Sequence, residues 1–209
     1  MTFRSILFAA ITLLFSANTN SALIDFDWQA PDDNLIIRDT DTGLDWLDLR
    51  VTANLSHNAV LSGLESGGAF YGFRLATQAE VLELWANAGI TNNERIWVTG
   101  QYTAVKDLVD RLGTTTMFEE GLFPIAKHVI GMVEGGPALA QDERWAMEIT
   151  YAPDEIHSRT SANYYTWDIS VADPHYSTYL VQAVPLPAAG WLMGTGIIGL
   201  FGLAMRKKA

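Results

Sequence analysis

Residues 188–205 form an apolar run without a single charged side chain, and Arg206, Lys207 and Lys208 follow it directly. A run of this kind has two physical outlets, the centre of a fold or the interior of a bilayer. Eighteen helical residues at 1.5 Å rise reach about 27 Å, close to the ~30 Å apolar thickness of a membrane. Trp191 stands near one end of the run and the basic cluster closes the other, where interfacial residues belong. The spacing predicts a transmembrane helix over 188–205, with residues 206–208 on the cytoplasmic side and the preceding chain outside.

The opposite end carries a second apolar segment. Arg4 precedes an apolar stretch at 6–15, and Asn20, Ser21 and Ala22 supply small residues after it. This is the pattern of a secretory signal peptide, and ten residues are too few to span a bilayer. The predicted organisation is a leader over 1–22, a body over 23–183 and a tail over 184–209. Both end segments agree on one topology, with the body exported.

Charge separates the body from its ends. Four of the 13 basic residues lie in the end segments while all 24 acidic residues lie between them, so the body carries −15. Such a body is repelled by nucleic acid and by anionic membranes. The absence of cysteine excludes disulfides, thiolate nucleophiles, cysteine-ligated zinc and iron–sulfur clusters. No cofactor is expected.

Within the body, "NLIIRDTDTGLDWLDL" reads as a β-hairpin: Leu35, Ile36 and Ile37 are strand-like, residues 39–43 are turn chemistry, and Leu44, Trp46 and Leu47 resume the apolar pattern. Ser56 is a cap for a helix with Val60, Leu61 and Leu64 on one face and Gly67 and Gly68 as terminators. "RLATQAEVLELWANAGI" is the strongest local signal. Thr77 and Glu80 form a capping box, Val81, Leu84, Trp85 and Ala88 fall at helical spacing, and Gly89 is the stop. A third helix is predicted over 103–112, with Val105, Leu108, Val109 and Leu112 on one side. Residues 128–133, 145–151 and 177–184 read as strands, 145–151 as half-buried. The expected fold class is α+β: an N-terminal hairpin, two or three helices, then an antiparallel sheet, plus the C-terminal transmembrane helix.

The tail "VPLPAAGWLMGTGIIGLFGLAMRKKA" resembles the PEP-CTERM sorting signal of Gram-negative bacteria in its motif, its span and its basic end, taken in that order. Val184, Pro185, Leu186 and Pro187 match the motif in a variant that has Leu186 where the signature carries glutamate. Arg206, Lys207 and Lys208 match the basic stop. The resemblance implies recognition by an exosortase after passage through the secretion translocon, a transient stay in the inner membrane, cleavage near the motif, and delivery to the cell surface or extracellular matrix, with association with exopolysaccharide. The physical reading agrees: two prolines one residue apart hold the chain extended just outside the membrane, the form a protease can grip. More loosely, "DTDTGLDWLDL", "GGAFYGFRLATQAEVLELW" and "STYLVQAV" resemble an uncharacterised bacterial surface domain, and their order is similar to the C-type-lectin-like fold.

Chemistry-bearing patterns are sparse. Asp39, Asp41 and Asp45 fail the EF-hand spacing, with Gly43 fifth and Arg50 twelfth. Asp25, Asp27, Asp32 and Asp33 read as a solvated acidic stretch leading into the body. His57, His128, His157 and His175 stand far apart in the chain, and Asp173 with His175 reads first as a loop. No Gly-x-Ser-x-Gly elbow, dinucleotide fingerprint or phosphate loop occurs. No catalytic residue and no metal ligand is therefore assigned. Tyr164, Tyr165 and Trp167, in "SANYYTWDIS", are the weak candidates for stacking on a sugar or a protein partner. The sequence reads as an exported surface protein without a catalytic role. The alternatives are a carboxylate-based carbohydrate-active hydrolase and a permanently anchored structural protein.

Overall fold

The structure, a computed structural model, describes residues 23–120, 123–135 and 143–184, with the backbone alone for 116–120, 123–125 and 163–167. The predicted leader, the transmembrane run and all of the tail beyond Val184 lie outside the described residues. The body is α+β with two sheets and three α-helices.

The first sheet grows from the predicted hairpin. β2 (Ile36–Asp39) and β3 (Leu44–Leu47) pair antiparallel, with Arg38 opposite Asp45. β1 (Leu23–Phe26) lines β2, and β10 (Leu180–Ala183) lies between β3 and the short β4 (Arg74–Leu75). The acidic stretch is thus more than a solvated lead-in. It forms β1 and then a turn in which the Asp33 carboxylate accepts the N–H groups of Trp28, Gln29, Ala30 and Leu35. Those backbone donors, that of Trp28 first, hold its carboxyl at a pKa of about 2.

All three helices follow their local signals. α1 (His57–Leu64) is capped by Ser56, whose hydroxyl accepts from Ala59 N–H. α2 (Gln78–Asn87) carries the complete Thr77/Glu80 capping box and buries Val81, Leu84 and Trp85. Arg74 grips the Glu80 carboxylate and, with the Thr77 groups, lowers its pKa to about 2. α3 (Tyr102–Leu112) buries Val105, Leu108, Val109 and Leu112. Gly89 adopts φ +86° directly after α2, a conformation that costs other residues strain.

The second sheet runs β5 (Thr116–Glu120), β6 (Phe123–Met132), β7 (Glu143–Tyr151) and β8 (Ser158–Asp168), all antiparallel, and β9 (Ser177–Thr178) adds to β6 in parallel. The tyrosine-rich stretch, read from sequence as a loop or edge, is the edge strand β8. β7 corrects the half-buried expectation: every residue from Ala146 to Tyr151 is buried, including Glu148 and Thr150. The face of β7 expected to meet solvent carries a buried polar network instead.

The main core fills the space between the sheets. Ile37, Trp46 and Val181 from the first sheet, the buried faces of α2 and α3, and Val129, Met147 and Ile149 from the second form one cluster. A smaller cluster of Ile36, Leu47, Val60, Phe70, Phe73 and Leu180 covers the other face of the first sheet. Tyr179, fully buried, lies against Gly131. A Cβ at residue 131 would overlap both the Tyr179 ring and the Leu49 side chain, and neither can retreat from a packed interior. Gly131→Ala is therefore expected to destabilise the fold by about 1–3 kcal/mol, read as a lowered urea midpoint.

Candidate functional site

The sorting-motif residue Val184 is the last described residue, and its N–H donates to Gly43 O at 2.9 Å. Val184 therefore lies beside the hairpin turn, one residue beyond β10. Pro185, Leu186, Pro187, Arg206, Lys207 and Lys208 lie outside the described residues. Tyr164, Tyr165 and Trp167 fall on β8, where their side chains are likewise outside the description.

The aspartates of the hairpin do not converge. Asp39 is buried on one face, where its carboxylate accepts from the N–H groups of Asp41 and Thr42 and from Asn87 Nδ2. Asp45 stands on the other face in a two-pronged pair with Arg38, at 2.7 and 2.9 Å. These are the side-chain-to-backbone and ion-pair roles of a reinforced turn. Among the described residues no group of three or more His, Asp or Glu side chains is placed to hold a metal ion.

The strands do bring together residues that chain spacing kept apart. His128 on β6, Glu148 and Thr150 on β7 and Arg159 on β8 share one face of the second sheet, because His128 and Arg159 both pair across from Thr150. Glu148 Oε1 sits 3.1 Å from His128 Nδ1 and accepts from Arg159 at 2.9 Å and Thr150 Oγ1 at 2.8 Å. All four side chains are buried. Burial alone would raise the Glu148 carboxyl, but the His128 hydrogen bond and the Arg159 charge outweigh it and hold the group below the ordinary carboxylate range. Arg159 also lies over the Trp97 ring, 5.1 Å from its centroid. The sequence signal was a small or polar residue (Ala146, Glu148, Thr150) between the large apolar ones of β7. Its meaning depends on what covers that face, which periodicity does not encode.

The remaining histidines have local or structural partners. His157 pairs with Asp154 and His175 with Asp173, each within three residues along an exposed loop. The same carboxylates accept backbone N–H groups of their own loops, so both pairs act as loop staples. His57 is fully buried at the start of α1, with Nδ1 3.4 Å from Thr178 Oγ1. Burial, and after it the Arg144 charge, lowers its pKa to about 4.

A surface cleft of about 420 Å³ lies between the β1–β2 loop and α3, lined by Asp25, Asp33, Asp107 and Asp110 with Arg50 and Arg111. Most of these charges already have partners. Asp25 holds Arg111, Asp110 holds Lys106 and the Tyr151 hydroxyl, and Arg50 is clamped on Asp48. Burial lifts the Asp110 carboxyl, but Lys106 and Tyr151 more than offset this and leave it lowered. A general acid needs the reverse, a carboxyl raised toward the working pH.

Comparison with protein-family models, with curated proteins and with solved structures finds no match to this chain.

Two stability measurements follow from the buried groups. Glu148→Ala leaves the Arg159 guanidinium buried without its carboxylate and should cost about 3–5 kcal/mol in urea denaturation at pH 7. His57 has a folded pKa below its unfolded value of 6.5, so the unfolded chain binds the extra proton. Its contribution is complete above pH 6.5 and fades as pH falls to about 4, a loss of about 3 kcal/mol. A His57→Gln variant should decline less steeply than the native chain across that interval, keeping only the loss that the depressed carboxylates such as Glu80 begin to show near pH 4.

Proposed function

We propose that this protein is an exported surface or matrix protein, sorted by its C-terminal tail and without a catalytic role. The observation that carries the reading is the sequence of the two ends: an apolar leader after Arg4, and a tail that sets a proline motif, an uncharged run and a basic end in that order. Val184, the first residue of the predicted motif, lies beside the hairpin turn, where its N–H donates to Gly43 O. An exosortase and the secretion translocon are the partners this reading requires, and exopolysaccharide is the candidate matrix contact.

The chemistry of the body supports a non-catalytic role. In the acidic cleft Asp33 and Asp110 both have lowered pKa values and are bonded to backbone or side-chain donors. A carboxylate-based hydrolase would instead need one carboxyl kept protonated near neutral pH opposite a second one. For the fold, the succession of hairpin, helices and second sheet fits the C-type-lectin-like resemblance.

Mass spectrometry of the protein from its native host tests the sorting reading. The expected product starts at or near Leu23 and lacks Arg206, Lys207 and Lys208, and it retains all three when the exosortase is deleted. A mature protein that keeps its basic end in the wild-type host would overturn the proposal.

A further inference from the structure

The strand register of the first sheet brings both ends of the body to one place. Leu23 pairs with Asp39, Asp39 with Leu44, and Leu44 with Ala183, so these four residues form one row across β1, β2, β3 and β10. Three strand spacings of ~4.8 Å separate Leu23 from Ala183, about 14 Å. The turn at residues 39–43 closes this same end, and Val184 is tied to it through Gly43 O. The two apolar segments of the chain, 6–15 and 188–205, are therefore joined to the same edge of the body, although they lie at opposite ends of the sequence.

Chain length then limits how far that edge can stand from a membrane. Only residues 185–187 separate Val184 from the uncharged run that starts at Ala188. Four extended steps span at most about 14 Å. The headgroup layer takes up about 5–7 Å of that on one side of the bilayer. The free leash that remains is under about 10 Å, shorter than the sheet itself is long with its far loop.

We propose that this end of the first sheet, with the exposed turn residues Thr40 and Asp41, rests against the lipid headgroups of the bilayer that holds residues 188–205. This rests on the membrane reading of the tail given above. The far end, with the exposed Gln29 in the loop after β1, points away: the strand from Leu23 to Phe26 alone places it about 10 Å further out. The contact is imposed by the tether and not by charge. Asp41 is exposed at the turn and the body carries −15, so electrostatics oppose approach to an anionic surface. The contact should consequently survive salt that would screen an electrostatic one.

The chain has no cysteine, so single labels can be placed without removing any native residue of that type. The experiment uses the full chain in vesicles of zwitterionic lipid, with a fluorophore on Asp41→Cys, on Thr40→Cys as a second near position, or on Gln29→Cys as the far one. Quenching by lipids carrying a headgroup nitroxide is measured at low and high salt, alongside flotation of the chain with the vesicles. The expected result is co-flotation with severalfold stronger quenching at positions 41 and 40 than at 29, unchanged by salt. Co-flotation with equal quenching, or with stronger quenching at 29, would overturn the proposed orientation and leave the membrane reading standing. A chain that does not float would overturn both.

Discussion

Residues 177–183 splice the two sheets, and the rest of the body depends on that splice. Ser177 and Thr178 run along β6 in the second sheet, and two residues later the same chain lies between β3 and β4 in the first. Tyr179 occupies the crossing. Its N–H donates to Met132 O at 3.0 Å, its carbonyl accepts from Ala76 at 2.9 Å, and its ring meets Trp46 edge-on at 6.2 Å. One fully buried aromatic thus touches a strand of each sheet and the segment leading into α2. Burying a ring of this size is worth on the order of 4 kcal/mol, a large share of the net stability of an ordinary domain.

The parts of the fold legible in the sequence are those set by short-range chemistry. The capping box at Thr77 and Glu80, the four-residue apolar face of α3 and the turn between β2 and β3 each fit within about a dozen residues, and each forms as the local pattern requires. β1 was hidden because Asp25 and the aspartates that follow the strand resemble a solvated lead-in, whereas its strand state comes from pairing with β2. β7 was misread for a related reason. Alternation of large apolar with small or polar residues normally marks a strand with one wet face, but Glu148 Oε1 is bonded by His128 and Arg159, from 20 and 11 residues away. A polar residue with partners of its own can occupy a position that periodicity assigns to water.

The candidate site divides along the same line. The expectation of a leader and of a sorting tail rests on composition and length alone, and nothing in the body enters it. Their convergence on one edge of the first sheet was not readable that way. It rests on the register that joins Leu44 to Ala183 across some 140 residues of chain, and no local pattern records it. The histidines make the same point in reverse, since His128 acquires its partners only through strand pairing while His157 and His175 find theirs a few residues away.

The position of β10 has a kinetic consequence. Among the described strands it is the last in the chain but an inner member of its sheet, with a neighbour on either side. The ribosome releases it last, so the hairpin must wait for almost the entire chain before its sheet can close. Contacts of such long sequence separation are slow to form, and the polypeptide remains open while it is being made. The late strand therefore delays completion of the first sheet until nearly all of the body has been made.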